Sequence, residues 1–178
     1  MKSRLLNPGA MLALARTMCG GIAHAGVVYD ETLDGDLANA MESAPWISPG
    51  TDLGVFTAGA HTVRGTFGRP PGSVLDSDVI TWRIASGMKL DALLLNYAIL
   101  EGDNGNGSYF SIAAGPTVGS GMTSAAGNLS DALVPASTDL LAAWSAGPYV
   151  FGTGPTVPLP AGTYTLMAHE TSPRRRTN

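Results

Sequence analysis

Val79-Ile80-Thr81-Trp82-Arg83-Ile84 is the stretch that decides the class of fold. Ile80, Trp82 and Ile84 recur at every second position, with Thr81 and Arg83 between them. Successive side chains of a strand point to opposite faces. The stretch therefore predicts a half-buried strand with a polar outer face. Similar short runs, separated by Gly, Pro, Asn and Asp, predict strands over 26–29, 53–57, 61–67, 90–100, 108–114, 149–152 and 163–169. The run at 90–100 is the most continuously apolar and is expected at the centre of a sheet.

Helical periodicity is scarce. Two segments are expected to form helical turns: 129–134, capped by Asn128 or Ser130, and 138–144, with Thr138 or Asp139 at its start. Loops rich in turn residues join the strands at 34–49, 68–77, 102–107 and 116–127. Pro160-Ala161-Gly162 reads as the turn leading into 163–169. Many short strands without a βαβ rhythm predict an all-β chain, an antiparallel two-sheet β-sandwich.

The chain of 178 residues carries 23 glycines, 12 prolines and only 13% charged residues. That composition is turn-rich and poor in helix-favouring Glu, Lys and Arg. Its 44% apolar content argues against global disorder.

The N-terminus reads as an export signal. Lys2 and Arg4 precede an apolar stretch from Leu5 to Ile22, and Ala23-His24-Ala25 has the small-x-small form of a cleavage site. The mature chain is expected to begin near Gly26. Pro8 and Arg16 break the stretch, so no run reaches the roughly 18 residues that span a bilayer. The expected organisation is a signal peptide at 1–25, a β-sandwich domain at 26–170 and a basic tail at 171–178. Cys19 is the only cysteine and lies before the cleavage site. A mature chain without cysteine excludes disulfides, thiol catalysis and thiolate metal sites, and it suits an oxidising compartment.

Seven basic and 14 acidic residues follow position 25, a net charge of −7, and three of the seven are Arg174, Arg175 and Arg176. A body this acidic repels nucleic acid and anionic membrane and favours divalent cations.

Several ordered landmarks carry a family resemblance. Tyr29-Asp30-Glu31 is followed by Asp34-Gly35-Asp36-Leu37. Then come His61-Thr62-Val63-Arg64-Gly65-Thr66, Asp76-Ser77-Asp78-Val79-Ile80-Thr81-Trp82, Lys89-Leu90-Asp91-Ala92-Leu93 and Leu159-Pro160-Ala161-Gly162-Thr163-Tyr164. In this order they resemble exported bacterial β-sandwich proteins similar to pre-peptidase C-terminal (PPC) domains, many of which carry a sorting signal of the PEP-CTERM type. The resemblance implies a secreted, jelly-roll-like sandwich, often calcium-associated, that serves as a non-catalytic accessory or surface module. The family tends to close with one more strand. Only nine residues follow His169 here, among them Pro173 and three arginines, so 163–169 is expected to be an open sheet edge.

Carboxylates in loops are the main candidates for chemistry. Asp30, Glu31, Asp34 and Asp36 form one cluster, Asp76 and Asp78 a second, and Asp103 with Asn104 and Asn106 a third. Calcium takes 6–8 oxygen ligands, and closely spaced Asp and Asn can supply them. The third cluster lacks the glutamate an EF-hand places at its twelfth position, where Ala114 stands. A structural calcium site is therefore expected on Asp30, Asp34 and Asp36, with Asp76 or Asp78 as second choice.

Catalytic constellations are missing. Gly119-Ser120-Gly121 lacks the Gly-x-Ser-x-Gly spacing of a nucleophile elbow. His61 and His169 lack the clustering of a zinc site and read as ordinary strand residues. No phosphate-cradling Gly-rich motif occurs. The expected function is a non-catalytic exported structural or adhesion module of the bacterial cell surface or extracellular matrix, not an enzyme. Its expected partners are polysaccharide or surface and matrix proteins. The alternative is a carbohydrate-binding module that uses Trp46 and Tyr149 as flat apolar platforms for sugar rings. Trp82 is expected in the core.

Overall fold

A computed structural model of the chain describes residues 10–15, 26–39, 47–66, 77–96, 108–119, 128–131, 138–146, 150–151 and 155–170. In chain order the elements are β1 (Ala10–Ala15), β2 (Gly26–Asp30), α1 (Glu31–Asp34), β3 (Ala38–Asn39), β4 (Ile47–Pro49), β5 (Thr51–Phe56), β6 (His61–Gly65) and β7 (Ser77–Ile84). They continue with β8 (Ala92–Asn96), β9 (Ser108–Ala114), β10 (Thr117–Gly119), β11 (Asn128–Asp131), β12 (Thr138–Asp139), α2 (Leu140–Ala146), β13 (Val150–Phe151) and β14 (Gly162–Glu170). The chain is mostly β, as its composition predicts.

The strands form a seven-stranded sheet, a five-stranded sheet and a two-stranded ribbon. The larger sheet runs β13-β11-β9-β14-β7-β3, with β5 also on β7. The smaller runs β12-β8-β1-β6-β2, and β10 pairs with β4 in the ribbon. Within the larger sheet, β14 pairs antiparallel with β7 from Gly162↔Ile84 to His169↔Ser77 and with β9 from Tyr164↔Ala114 to Glu170↔Ser108. The expectation of an open edge at 163–169 is therefore wrong: β14 is an interior strand, paired along both sides.

The other side of β7 is shared by two short strands. β3 pairs antiparallel at Val79 and Asp78, and β5 pairs parallel from Ile80 to Ile84. β2 also pairs parallel with β6. The sheets are mainly antiparallel, as expected, and these two pairs are the parallel ones among the described strands. A parallel pair needs a crossover, and the chain supplies one: between β5 and β7 it visits the smaller sheet as β6. Between β2 and β6 it visits the larger sheet as β3 and β5.

One core draws on both large sheets. Phe56, Ile80, Trp82, Ile84, Phe110, Ile112, Tyr164 and Leu166 from the larger sheet join Val63, Leu93 and Leu95 from the smaller one and Leu140, Leu141 and Trp144 of α2. Phe56, Trp82 and Tyr164 are stacked in turn, with 6.2 Å between successive ring centroids. The Tyr164 hydroxyl donates to Pro160 O at 3.1 Å and so closes the turn before β14.

The intervening residues do not form the polar outer face expected of 79–84. Val79, Ala113, Val118 and Met167 make a second, smaller core, to which β10 contributes Val118. Thr81 and Thr165 lie buried, their hydroxyls 2.9 Å apart, and Thr165 also donates to Gly115 O at 2.8 Å. Gly50 lies so close that an added Cβ would stand 2.6 Å from Ile80 C and from Thr81 Oγ1. Arg83 alone keeps the expected exposure and pairs with Asp52.

Two further expectations shift. Asn128–Asp131 is a strand on β9, not the start of a helical turn, because its short apolar content serves either structure and the β9 edge decides. The second helical turn is present as α2, started by Asp139: its Oδ1 accepts from Leu141 N at 3.0 Å and from Leu93 N at 3.1 Å. The segment expected within the leader contributes β1, which lies between β6 and β8. Residues 171–178 lie outside the described residues.

Candidate functional site

The acidic cluster after β2 folds into a single helical turn. Asp30 is its N-cap: Oδ1 accepts from Thr32 N at 3.1 Å and from Thr32 Oγ1 at 2.6 Å. Such a cap satisfies a backbone donor that the helix start leaves orphaned. In return, Asp34 Oδ2 accepts from Asp30 N at 2.8 Å. Arg64 stands 3.5 Å from Asp30 Oδ2. The Thr32 hydroxyl is the first reason the Asp30 carboxyl lies below the usual carboxylate range; the Thr32 N–H and Arg64 add to it.

Asp30 and Asp34 are thus spent on their own turn. The carboxylates that converge are Glu31, Asp36 and Asp78, each offering an oxygen within 4.8 Å of the others. Glu31 is their hub. Its Oε1 accepts from Leu37 N at 3.1 Å, and its Oε2 from Thr66 N at 2.7 Å. The side chain therefore ties α1 both to the end of β6 and to the residue where the chain enters the core, since Leu37 is buried.

Asp78 reaches the cluster from β7 and is only 7% exposed. Asp36 comes from the exposed loop after α1, where Asn39 Nδ2 reaches its Oδ2 at 3.5 Å. Gly65 makes the convergence sterically feasible. An added Cβ there would lie 2.9 Å from Glu31 Cδ and 3.2 Å from Asp78 Oδ2.

The charge is concentrated. Burial comes first among the causes that raise the Tyr29 phenol, followed by Asp34, Glu31, Asp36 and Asp78. Its hydroxyl donates to Gly35 O at 2.9 Å, which fixes the loop carrying Asp36.

Of the predicted metal ligands, the structure joins Asp36 with Asp78 and turns Asp30 and Asp34 elsewhere. Asp76 lies outside the described residues, as do Asp103, Asn104 and Asn106. So do Trp46 and Tyr149 of the carbohydrate alternative. Trp82 is fully buried, and Trp144 nearly so, which removes both from any sugar platform. His61 is a strand residue that stacks on Phe56 at 4.5 Å and whose Nε2 is 2.9 Å from Thr57 O. His169 lies in β14, opposite Ser77 and Tyr109.

The hub role of Glu31 was missed because its partners come from distant points of the chain. Linear spacing groups Glu31 with Asp30 and Asp34; only strand pairing brings Thr66 and Asp78 to it. Among the described residues no helix is long and apolar enough to cross a membrane. The chain matches no protein-family model, no curated protein and no solved structure.

Proposed function

We propose that the chain is a non-catalytic exported structural or adhesion module of the cell surface or extracellular matrix. In this reading it is a two-sheet, jelly-roll-like sandwich similar to PPC domains, with a structural calcium ion. The observation that carries the reading is how the reactive side chains are used. Glu31, Asp30, Asp34 and Asp139 each bind backbone N–H groups at element ends, and Thr81 and Thr165 bond each other inside the sheet. These groups hold a scaffold together. A core fed by both large sheets supports the sandwich.

Calcium enters through charge. Three carboxylates within 4.8 Å repel one another, and a divalent ion relieves that repulsion. The ligands in this reading are Asp36, Asp78 and Glu31 rather than Asp30 and Asp34. An ion that binds only the native state stabilises it by about 2.7 kcal/mol at a hundredfold excess over the dissociation constant.

Melting curves in millimolar calcium and in chelator test this part. A higher midpoint in calcium is expected, lost in Asp36→Asn and kept in Asp34→Asn. Coinciding midpoints in the unaltered protein would remove calcium from the proposal. A glycan array tests the rest. Reproducible polysaccharide binding that disappears in Trp46→Ala would replace the structural reading with a carbohydrate-binding one.

A further inference from the structure

Strand β1 sits inside the five-stranded sheet, antiparallel to both neighbours. Leu12 pairs with Val63 of β6 and with Leu95 of β8. Leu14 pairs with His61 and with Leu93, and Ala13 between them pairs with Thr62 and Leu94. β6 and β8 therefore run parallel to each other, and β1 stands between them in the sheet order. Val63, Leu93 and Leu95, beside the strand, are at most 2% exposed.

Removing residues 1–25, as the export reading requires, would take this strand away. Two facing edges would remain, about 10 Å apart at the usual strand spacing. Each would carry a row of unpaired N–H and C=O groups. We infer that this gap is an acceptor slot for an extended strand of a partner chain, held in the unprocessed chain by its own β1. The inference rests on the export reading.

The present occupant defines the chemistry of the partner strand. It is about six residues long, uncharged and antiparallel to both walls, with large apolar residues at two alternate positions and a small residue between. Main-chain hydrogen bonds to both walls supply the attraction and the alternate positions supply the specificity. A body with a net charge of −7 favours basic rather than acidic flanks around that strand. Arg16 directly follows β1 here. Docking of this kind gives a surface or matrix module a means of assembly without a catalytic step.

The test uses the full chain with a specific protease site placed within 16–25 and cut after folding. The probe is a labelled peptide of residues 9–16, Gly-Ala-Met-Leu-Ala-Leu-Ala-Arg. The nicked protein should release its N-terminal fragment and take up one peptide per chain, while the uncut protein takes up none. A peptide with Leu12→Pro should bind at least roughly tenfold more weakly, because proline removes a ladder N–H from a strand paired on both sides. Retention of the original fragment without exchange would overturn the slot, as would equal binding of the two peptides. N-terminal sequencing of protein from an extracytoplasmic fraction separates the two ideas. Intact Met1 overturns export and the slot together, whereas a start at Gly26 without peptide uptake overturns the slot alone.

Discussion

The centre of the larger sheet and the corner where α1 meets β6 are stabilised in different ways. At the centre, β7, β14 and β9 share long antiparallel registers, and apolar side chains cover both faces. At the corner, β2 exposes Val27 and Val28, and the one-turn α1 buries no residue. Carboxylates bonded to backbone N–H groups do the holding there. Burial is non-directional and scales with area. Capping depends on a few oriented bonds and on charge state. The two regions should therefore respond to different perturbations.

The largest effect is expected at the centre. Trp82 is fully buried, between Phe56 and Tyr164. Trp82→Ala should cost about 3–5 kcal/mol, as emptying a large aromatic site usually does. Denaturant unfolding would measure it. A loss below about 1 kcal/mol, the centre of the ordinary mutational range, would break the comparison.

A smaller loss is expected at the corner. Glu31→Ala removes the acceptor for Leu37 N and Thr66 N. The expected cost is about 1–3 kcal/mol, the range for leaving buried donors unmet, and near its lower end because Thr66 is exposed and water can serve it. Glu31→Gln keeps an acceptor and eases the repulsion from Asp36 and Asp78, so without calcium it should cost less than Glu31→Ala. The same unfolding measurement ranks the pair, and the opposite order would show that the charge itself is needed.

The smallest effect is a pH dependence. The Asp30 carboxyl is held below its ordinary value, chiefly by the Thr32 hydroxyl. A group depressed in the folded state adds stability above its unfolded value, near pH 4. That stability is lost as pH falls through the lower folded value. Asp30→Asn should therefore flatten the acid side of a stability-against-pH curve and leave its shape near pH 7 unchanged. An unaltered acid slope would show that the cap is not coupled to folding.

The same contrast explains what was legible in the sequence. Local pattern is enough at the centre. The alternation of Ile80, Trp82 and Ile84 marks β7, and the run at 108–114 has the bounds of β9. The interior place of β14 was not legible, because strand order is set by pairing across the sheet rather than by the residues that follow. The strand β1 is not legible within the N-terminal segment, since one apolar run serves a leader and a strand alike. The parallel pairs of β5 with β7 and of β2 with β6 depend on crossovers that no short pattern announces. At the corner, composition showed that carboxylates cluster. It could not show which of them converge on Glu31, because Asp78 and Thr66 arrive from β7 and from the end of β6.

Residue-resolved amide hydrogen exchange tests the contrast most directly. The account predicts the slowest exchange in β7, β14 and β9, with β14 protected along its full length. Faster exchange is expected in β2 and α1, through openings that leave the core intact. Equal protection of the two regions would contradict it, as would rapid exchange along either side of β14.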